Sequence, residues 1–293
     1  MAAPDTSPLI DVRDLVKSYD GKVVLKGFNL QIARGETCVL IGGSGSGKST
    51  FARLLVGLER ADSGHILVGG VDLVGLGEHE LARMRRKFAV VFQKYALLDS
   101  LTVFDNVAFP MREERIHSET EIRRRVHLAL DALDVDDAAK KLPGELSGGM
   151  AKRVGIARAV VTEPEIIVYD EPTSGLDPVS ARVVDELIER MRERFSVTSI
   201  VITHDMVSAY GVADRVVLLA DGKVMADGAP IEIFRSHSES IEPFAISSGI
   251  DLEHLAPRLG RKSVAEIRAQ WDTLHPAHAE EPHHGWHWPW SKD

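Results

Sequence analysis

The stretch Gly42–Gly43–Ser44–Gly45–Ser46–Gly47–Lys48–Ser49 constrains this chain more tightly than any other. It fits G-x-x-x-x-G-K-S, follows a short apolar strand, Val39–Ile41, and opens a helical run, Thr50–Leu58. Glycines let the backbone curl until successive N–H groups point inward at phosphate oxygens, and the helix adds the positive end of its dipole. At this spacing Lys48 reaches the β- and γ-phosphates of a nucleotide, and the Ser49 hydroxyl is a ligand for Mg²⁺. Thr50 joins Gly42–Ser49 as a cofactor-binding candidate. Without a flanking strand and helix such a glycine pattern arises by chance. With them it predicts an α/β core in which the loop leaves the end of a buried strand.

The rest of the chain fits around that unit. Ile10–Tyr19 and Lys22–Ile32 are rich in Val, Ile and Leu, with Asp20–Gly21 between them as a tight-turn signal, so the N-terminal part reads as antiparallel β. Glu78–Phe88 reads as helix and Ala89–Phe92 as a buried strand. From about 94 to 158 long β-branched runs are missing, and the segment reads as helical. Ser118 with Glu121 makes a capping box there, followed by the stripe Ile122, Val126, Ala129, Leu130 and Leu133. Apolar strands resume at Ile166–Tyr169, Ser199–Thr203 and Arg215–Ala220, with a helix over Ser180–Arg194. Continuous apolar strands alternating with helices predict a parallel sheet covered on both faces. The helical stretch is then an insertion into that α/β core.

Further chemistry-bearing residues punctuate these elements. Asp170–Glu171 ends the strand Ile166–Tyr169. Parallel sheets collect ligand-binding groups at the carboxyl ends of their strands. Asp170 is therefore placed to hold a metal's shell, and Glu171 to polarise an attacking water as general base. Taken alone, the pair reads equally as two solvated carboxylates starting a turn before Pro172. Leu146–Ser147–Gly148–Gly149–Met150 precedes a helical run, Ala151–Val161. It is either a second phosphate-type surface or an ordinary helix start with Ser147 as N-cap. Tyr19, Gln93 and His204 carry little weight singly, since a lone tyrosine usually packs and a lone histidine after a strand is usually structural.

Together, and in this order, these residues resemble the ABC ATPase family. Leu146–Gly149 is similar to that family's signature, Tyr19 to the aromatic that stacks on adenine, and Gln93, in Val91–Phe92–Gln93, to the Q-loop. Ser174–Gly175–Leu176–Asp177 is similar to the D-loop, and His204, in Val201–Ile202–Thr203–His204–Asp205, to the switch histidine. The resemblance spans about residues 9–235. It implies a P-loop NTPase fold with a parallel core sheet, an N-terminal antiparallel β subdomain and a helical insertion subdomain. It implies ATP and Mg²⁺ as cofactors, with Glu171, His204 and Gln93 serving catalysis and Ser49, Gln93 and Asp170 holding the metal. Two such chains are expected to pair head to tail, each ATP lying between Lys48 of one and Ser147 and Gly149 of the other. Gly148 and Asp177 join the same cofactor-binding set. Gln93 would connect the nucleotide to the helical subdomain and an integral membrane permease, which puts the chain peripherally at the cytoplasmic face of the inner membrane. The usual signature ends in Gln where this one has Met150; the Ser and Gly contacts survive, so activity is expected. The LSGGM ending, the run Phe92–Pro110 and Asp177–Pro178–Val179–Ser180 resemble the ATPases of Mla- and Mce-type lipid transporters. That branch implies phospholipid or another lipid as cargo and lipid-transport accessory proteins as partners.

Bulk properties bound the alternatives. A net charge of −9 argues against a nucleic-acid partner, which needs a basic face. The single cysteine, Cys38, excludes an intrachain disulfide and reads as a small core residue. Met1–Pro8 shows no signal-peptide pattern, and no apolar run approaches the roughly 18 to 20 residues that cross a bilayer. Membrane spanning would fall to another chain. Residues 236–293 read as a C-terminal extension with a capping box at Ser263 and Glu266. Ile267, Trp271 and Leu274 share one helix face there, either docking on the partner ATPase or packing on their own domain. The end of the chain, with His283, His284, Trp286, His287, Trp288 and Trp290, reads as a flexible tail without a metal role. Two other functions stay open: the ATPase of an importer for a small polar solute, and a soluble ABC ATPase of repair, translation or iron–sulfur assembly. The single set of motifs, and the lack of zinc-binding cysteines or long coiled coils, count against the last.

Overall fold

Runs of β-branched and apolar residues form ten strands among the residues described, 7–92 and 96–235, of this computed structural model. In chain order they are Ile10–Tyr19 (β1), Lys22–Ile32 (β2), Thr37–Ile41 (β3), Ser63–Val68 (β4), Val71–Asp72 (β5), Phe88–Val91 (β6), Ile166–Asp170 (β7), Thr198–Ile202 (β8), Arg215–Ala220 (β9) and Lys223–Gly228 (β10). The helices are Lys48–Leu55 (α1), Glu78–Arg85 (α2), Val103–Glu114 (α3), Glu119–Asp131 (α4), Gly148–Val160 (α5), Pro178–Phe195 (α6), Met206–Val212 (α7) and Pro230–Arg235 (α8). Gln93 and everything read into 236–293, including the Ile267, Trp271 and Leu274 face and the His- and Trp-rich tail, lie outside the described residues.

One sheet has the order β2-β1-β4-β5 and is antiparallel throughout. The turn that folds β1 onto β2 has positive φ at both Asp20 and Gly21, the geometry that matches the strand twist of a two-residue hairpin. The second sheet has the order β10-β9-β3-β8-β7-β6, and its five strands from β9 to β6 pair in parallel. β3 lies inside it, between β9 and β8, and all five of its residues are buried. Its alternate side chains feed two cores. Cys38 and Leu40 join Phe51 and Leu55 of α1 and the apolar face of the antiparallel sheet, while Val39 and Ile41 join the core under α3 to α7. Strand alternation thus covers this sheet on both faces, as parallel sheets require. Among the described residues, helices α3 to α5 and no strand occupy the chain between β6 and β7, which is the helical insertion.

Three details differ from the sequence reading. Phe88 leaves helix α2 and starts β6, because its backbone pairs with Ile166. The Ser118 hydroxyl accepts the Glu121 amide at 3.3 Å, but the reciprocal half of the capping box is missing. The Glu121 carboxylate instead accepts charge-assisted bonds from Arg124 and Arg125, which hold its pKa down at about 2. Strands β4, β5 and β10 and helix α7 were not anticipated.

Candidate functional site

The phosphate-type loop leaves β3 under tight steric constraint. A Cβ on Gly42 would stand 2.2 Å from the Leu219 carbonyl oxygen of neighbouring β9, so only glycine fits. Gly47 has φ +112, and a Cβ there would come within 2.7 Å of Leu25. Gly47 is also the N-cap of α1 and offers no capping side chain, which leaves the first-turn amides of that helix without a side-chain partner. Lys48 is 8% exposed and folds back over the loop, donating to the carbonyls of Gly42 at 2.7 Å and Gly43 at 3.1 Å. Burial lowers its pKa, while Glu171 and Asp170 pull the other way. Ser49 is exposed, and buried Thr50 presents its hydroxyl to Arg53 at 3.5 Å. The Ser46 hydroxyl is buried with no hydrogen-bond partner among the described residues.

Strands β3, β8 and β7 are consecutive in the sheet and parallel, so the Gly42 loop, Thr203–His204 and Asp170–Glu171 leave it at the same end. Asp170 closes β7, and its Oδ1 is buried with no hydrogen-bond partner among the described residues. Burial raises its pKa, Glu171 adds to the rise, and Arg53, Lys48 and the Ser49 hydroxyl oppose it. A buried, unpaired carboxyl oxygen beside a hydroxyl and an ammonium fits one oxygen ligand of a hard cation whose remaining shell is phosphate and water. Glu171 takes the left-handed conformation, φ +53, held by its amide bond to the Ile202 carbonyl at 2.8 Å. A non-glycine residue there costs about 1–3 kcal/mol and is sustained by its surroundings, here the β7–β8 ladder. The twist aims Glu171 Oε2 at His204 Nδ1, 2.8 Å away, and His204 is otherwise 67% exposed.

Other residues singled out from the sequence are held differently. The Tyr19 hydroxyl donates to Glu59, a carboxylate that also accepts from Arg53, and Lys17 stands 5.1 Å over the Tyr19 ring. Ser147 caps α5 by accepting the Met150 amide at 3.3 Å. Ser147, Gly148 and Gly149 are exposed, whereas Leu146 and the Met150 side chain pack against the core. The residue that departs from the usual signature therefore points inward. Asp177 caps α6, accepting the amides of Val179 and Ser180 at 3.0 Å each. Among the described residues, no hydrogen bond joins Ser147, Gly148, Gly149 or Asp177 to the 42–50 loop. Sequence reading also passes over Arg53, Thr173, Asp185 and Ser208. Asp185, on α6, is buried.

Comparisons with known proteins identify the family and the fold. The ABC transporter family matches residues 25–174. The ATP-binding protein MlaF of the intermembrane phospholipid transport system of Haemophilus influenzae is 38% identical over 236 residues, which is 80% of this chain and 89% of that protein. The methionine import ATP-binding protein MetN of Rhizobium johnstonii is 36% identical over 277 residues, 94% of this chain and 76% of that protein. Among solved structures, the dimeric post-hydrolysis state of the ATP-binding cassette MJ0796, bound to ADP and phosphate, has a TM-score of 0.69. It is 31% identical and covers 75% of this chain and 98% of its own.

Proposed function

The chain belongs to the ABC transporter family and is an ATPase of it; on that premise we propose that it powers a phospholipid transporter through a site shared by two copies. One observation carries the chemistry: Glu171 and His204 meet at 2.8 Å on adjacent strand ends, where the Lys48 loop also emerges. In this reading Lys48 exchanges the Gly42 and Gly43 carbonyls for the β- and γ-phosphates of ATP, and the loop amides and the α1 N-terminus cradle the rest. Ser49 and Asp170 would hold Mg²⁺, with Gln93 as a further ligand; the ion neutralises charge on the β- and γ-oxygens when bound. Glu171 takes the proton of the attacking water at Oε2, and His204 orients Glu171 and the γ-phosphate. Tyr19 supplies the adenine platform. Ser147, Gly148 and Gly149 of a second copy close over the γ-phosphate, with Asp177 at the same junction.

No helix among the described residues is long and apolar enough to cross a membrane. We assign spanning to a permease subunit, which keeps this chain peripheral at the cytoplasmic face, and transfer of the lipid to accessory proteins of the same system. The MlaF similarity, which spans 89% of that protein, supports the lipid cargo. The MetN similarity extends over 94% of this chain and supports a second reading, a small polar solute such as an amino acid. Purification from native membranes in mild detergent, with mass spectrometry of bound proteins and lipids, separates the two. A multispan partner carrying enriched phospholipid supports the lipid reading. A partner complex with no enriched lipid, and ATPase activity stimulated by methionine, overturns it.

A further inference from the structure

Behind His204 lies a buried polar cluster that the chemistry above leaves unused. Ser208 Oγ of α7 stands 3.0 Å from Asp185 Oδ2 of α6, 3.1 Å from Asp205 Oδ2 and 3.4 Å from Thr173 Oγ1. Thr173 Oγ1 in turn reaches Asp205 Oδ2 at 3.5 Å. Asp185, Ser208 and Thr173 are all buried, at 8%, 2% and 5% exposure. The second oxygen of Asp205 accepts the amides of Val207 and Ser208, at 2.9 and 3.2 Å. The Asp205 amide donates to the hydroxyl of buried Thr203 at 2.9 Å, and the Thr203 amide donates to Leu40 of β3 at 3.2 Å. His204 lies between these two anchored residues.

Close donors are scarce in the cluster, because the Thr173 hydroxyl reaches Asp205 only at 3.5 Å, beyond the usual range of an O–H···O bond. Ser208 has one hydroxyl proton, and two carboxyl oxygens lie within reach of it. The other oxygen of Asp205 is already occupied by two backbone amides. A second anion at Asp185 would compete for the same hydroxyl, and Asp185 Oδ1 has no hydrogen-bond partner among the described residues. A neutral Asp185 removes the conflict: it donates to Ser208 Oγ, and Ser208 donates onward to Asp205. The surrounding charges agree. Burial pushes the Asp185 pKa up to about 7, Asp205 and Glu189 push in the same direction, and the Ser208 hydroxyl and Arg182 oppose them.

We propose that Asp185 is a positioning residue for His204, a neutral carboxyl that hydrogen-bonds through Ser208 to Asp205 and so ties the His204 loop to helix α6. The inference rests on the assignment of His204 and Glu171 to turnover. Helix α6 is capped by Asp177, in the segment read as the junction with a second copy, so the tie couples that junction to the histidine. Ionisation of Asp185 sets a second negative charge beside Asp205 and breaks the tie.

The test is steady-state ATPase activity of the full chain from pH 6 to 9, for wild type, Asp185→Asn, Asp185→Ala and His204→Ala. Asparagine keeps a donor facing Ser208 and cannot ionise. Wild type is expected to decline at alkaline pH, and Asp185→Asn to hold the neutral-pH kcat within about twofold and to lose that decline. Asp185→Ala is expected to lower kcat by about tenfold or more at nearly unchanged KM, as misplacement of a catalytic group does. Identical alkaline limbs for wild type and Asp185→Asn overturn the proposal, and that comparison stands even if the alanine variant does not fold. Full turnover in His204→Ala overturns the underlying assignment of the histidine instead. Loss of turnover there, with Asp185→Ala matching wild type in kcat and pH profile, overturns the Asp185 proposal alone.

Discussion

Glu171 shows how a single side chain can be aimed at the cost of backbone comfort. Its left-handed φ is held by one amide bond to β8, and the result is a carboxylate aimed at His204. Glu171→Gln keeps the shape and loses the ability to take a proton. Its turnover is expected to fall by about 10²–10⁴-fold while ATP binding persists, as measured by phosphate release and equilibrium nucleotide binding. Wild-type turnover in that variant removes Glu171 as base. Asp185 makes a different residue-scale prediction, about stability. Its folded pKa is raised, so between the ordinary carboxylate pKa and about 7 the native state keeps a proton that the unfolded chain has lost. Stability then falls as pH rises through that window, by about 1.4 kcal/mol per unit of pKa difference at most. Urea unfolding at pH 5 and pH 8 should show a smaller pH-dependent loss for Asp185→Asn than for wild type; equal losses contradict the buried neutral acid. The two carboxylates also differ in legibility. Glu171 is readable because it ends an apolar strand beside another acid. Asp185 is not, because its partner Ser208 lies 23 positions away and nothing local marks the meeting.

Elements were legible where burial is uniform or strictly periodic. The continuous apolar runs of β7, β8 and β9, and the stripe from Ile122 to Leu133, carry their own signal. Strand β10 alternates between exposed and half-buried residues and includes Asp227 and Gly228, so composition hides it. Strand β4 begins with Ser63, Gly64 and His65, and α7 is too short to show a helical period. The start of the helical insertion depends on one side chain that no periodicity reveals. Asn106 of α3 is fully buried, accepts the Leu98 amide at 2.7 Å and donates to the carbonyls of Leu98, Leu101 and Thr102 at 3.0–3.1 Å. It thereby pins Leu98, Leu101 and Thr102, just before α3, onto the helix. Asn106→Ala strips those backbone groups of their partner, and a loss of about 1–3 kcal/mol is expected in urea unfolding. Hydrogen exchange should accelerate at the Leu98 amide ahead of the α3 core; unchanged protection there contradicts the pinning role.

At the scale of the molecule, the proposed nucleotide site is divided: its loop half and its signature half lie apart among the described residues of one copy. Lys48, Asp170, Glu171 and His204 gather at one end of the parallel sheet, whereas Ser147, Gly148 and Gly149 lie exposed at the start of α5 and, among the described residues, share no hydrogen bond with the loop. A two-fold pair resolves this, because in such a pair residue i of one copy meets residue j of the other and the reverse holds equally. The arrangement makes a prediction that a self-contained active site does not. Lys48→Ala damages the loop half of a site, and Gly149→Glu puts a bulky negative charge on the signature half. Each variant alone is expected to be inactive, since both sites of its homodimer carry the lesion. When the two are co-expressed with different tags and the heterodimer is purified through both, one site collects both lesions. The other site pairs an intact Lys48 with an intact signature, so ATPase activity should return to about half that of wild type. A heterodimer as inactive as its parents shows that the two sites do not fire independently or are not shared. A Gly149→Glu homodimer with full turnover would place the whole reaction within one copy.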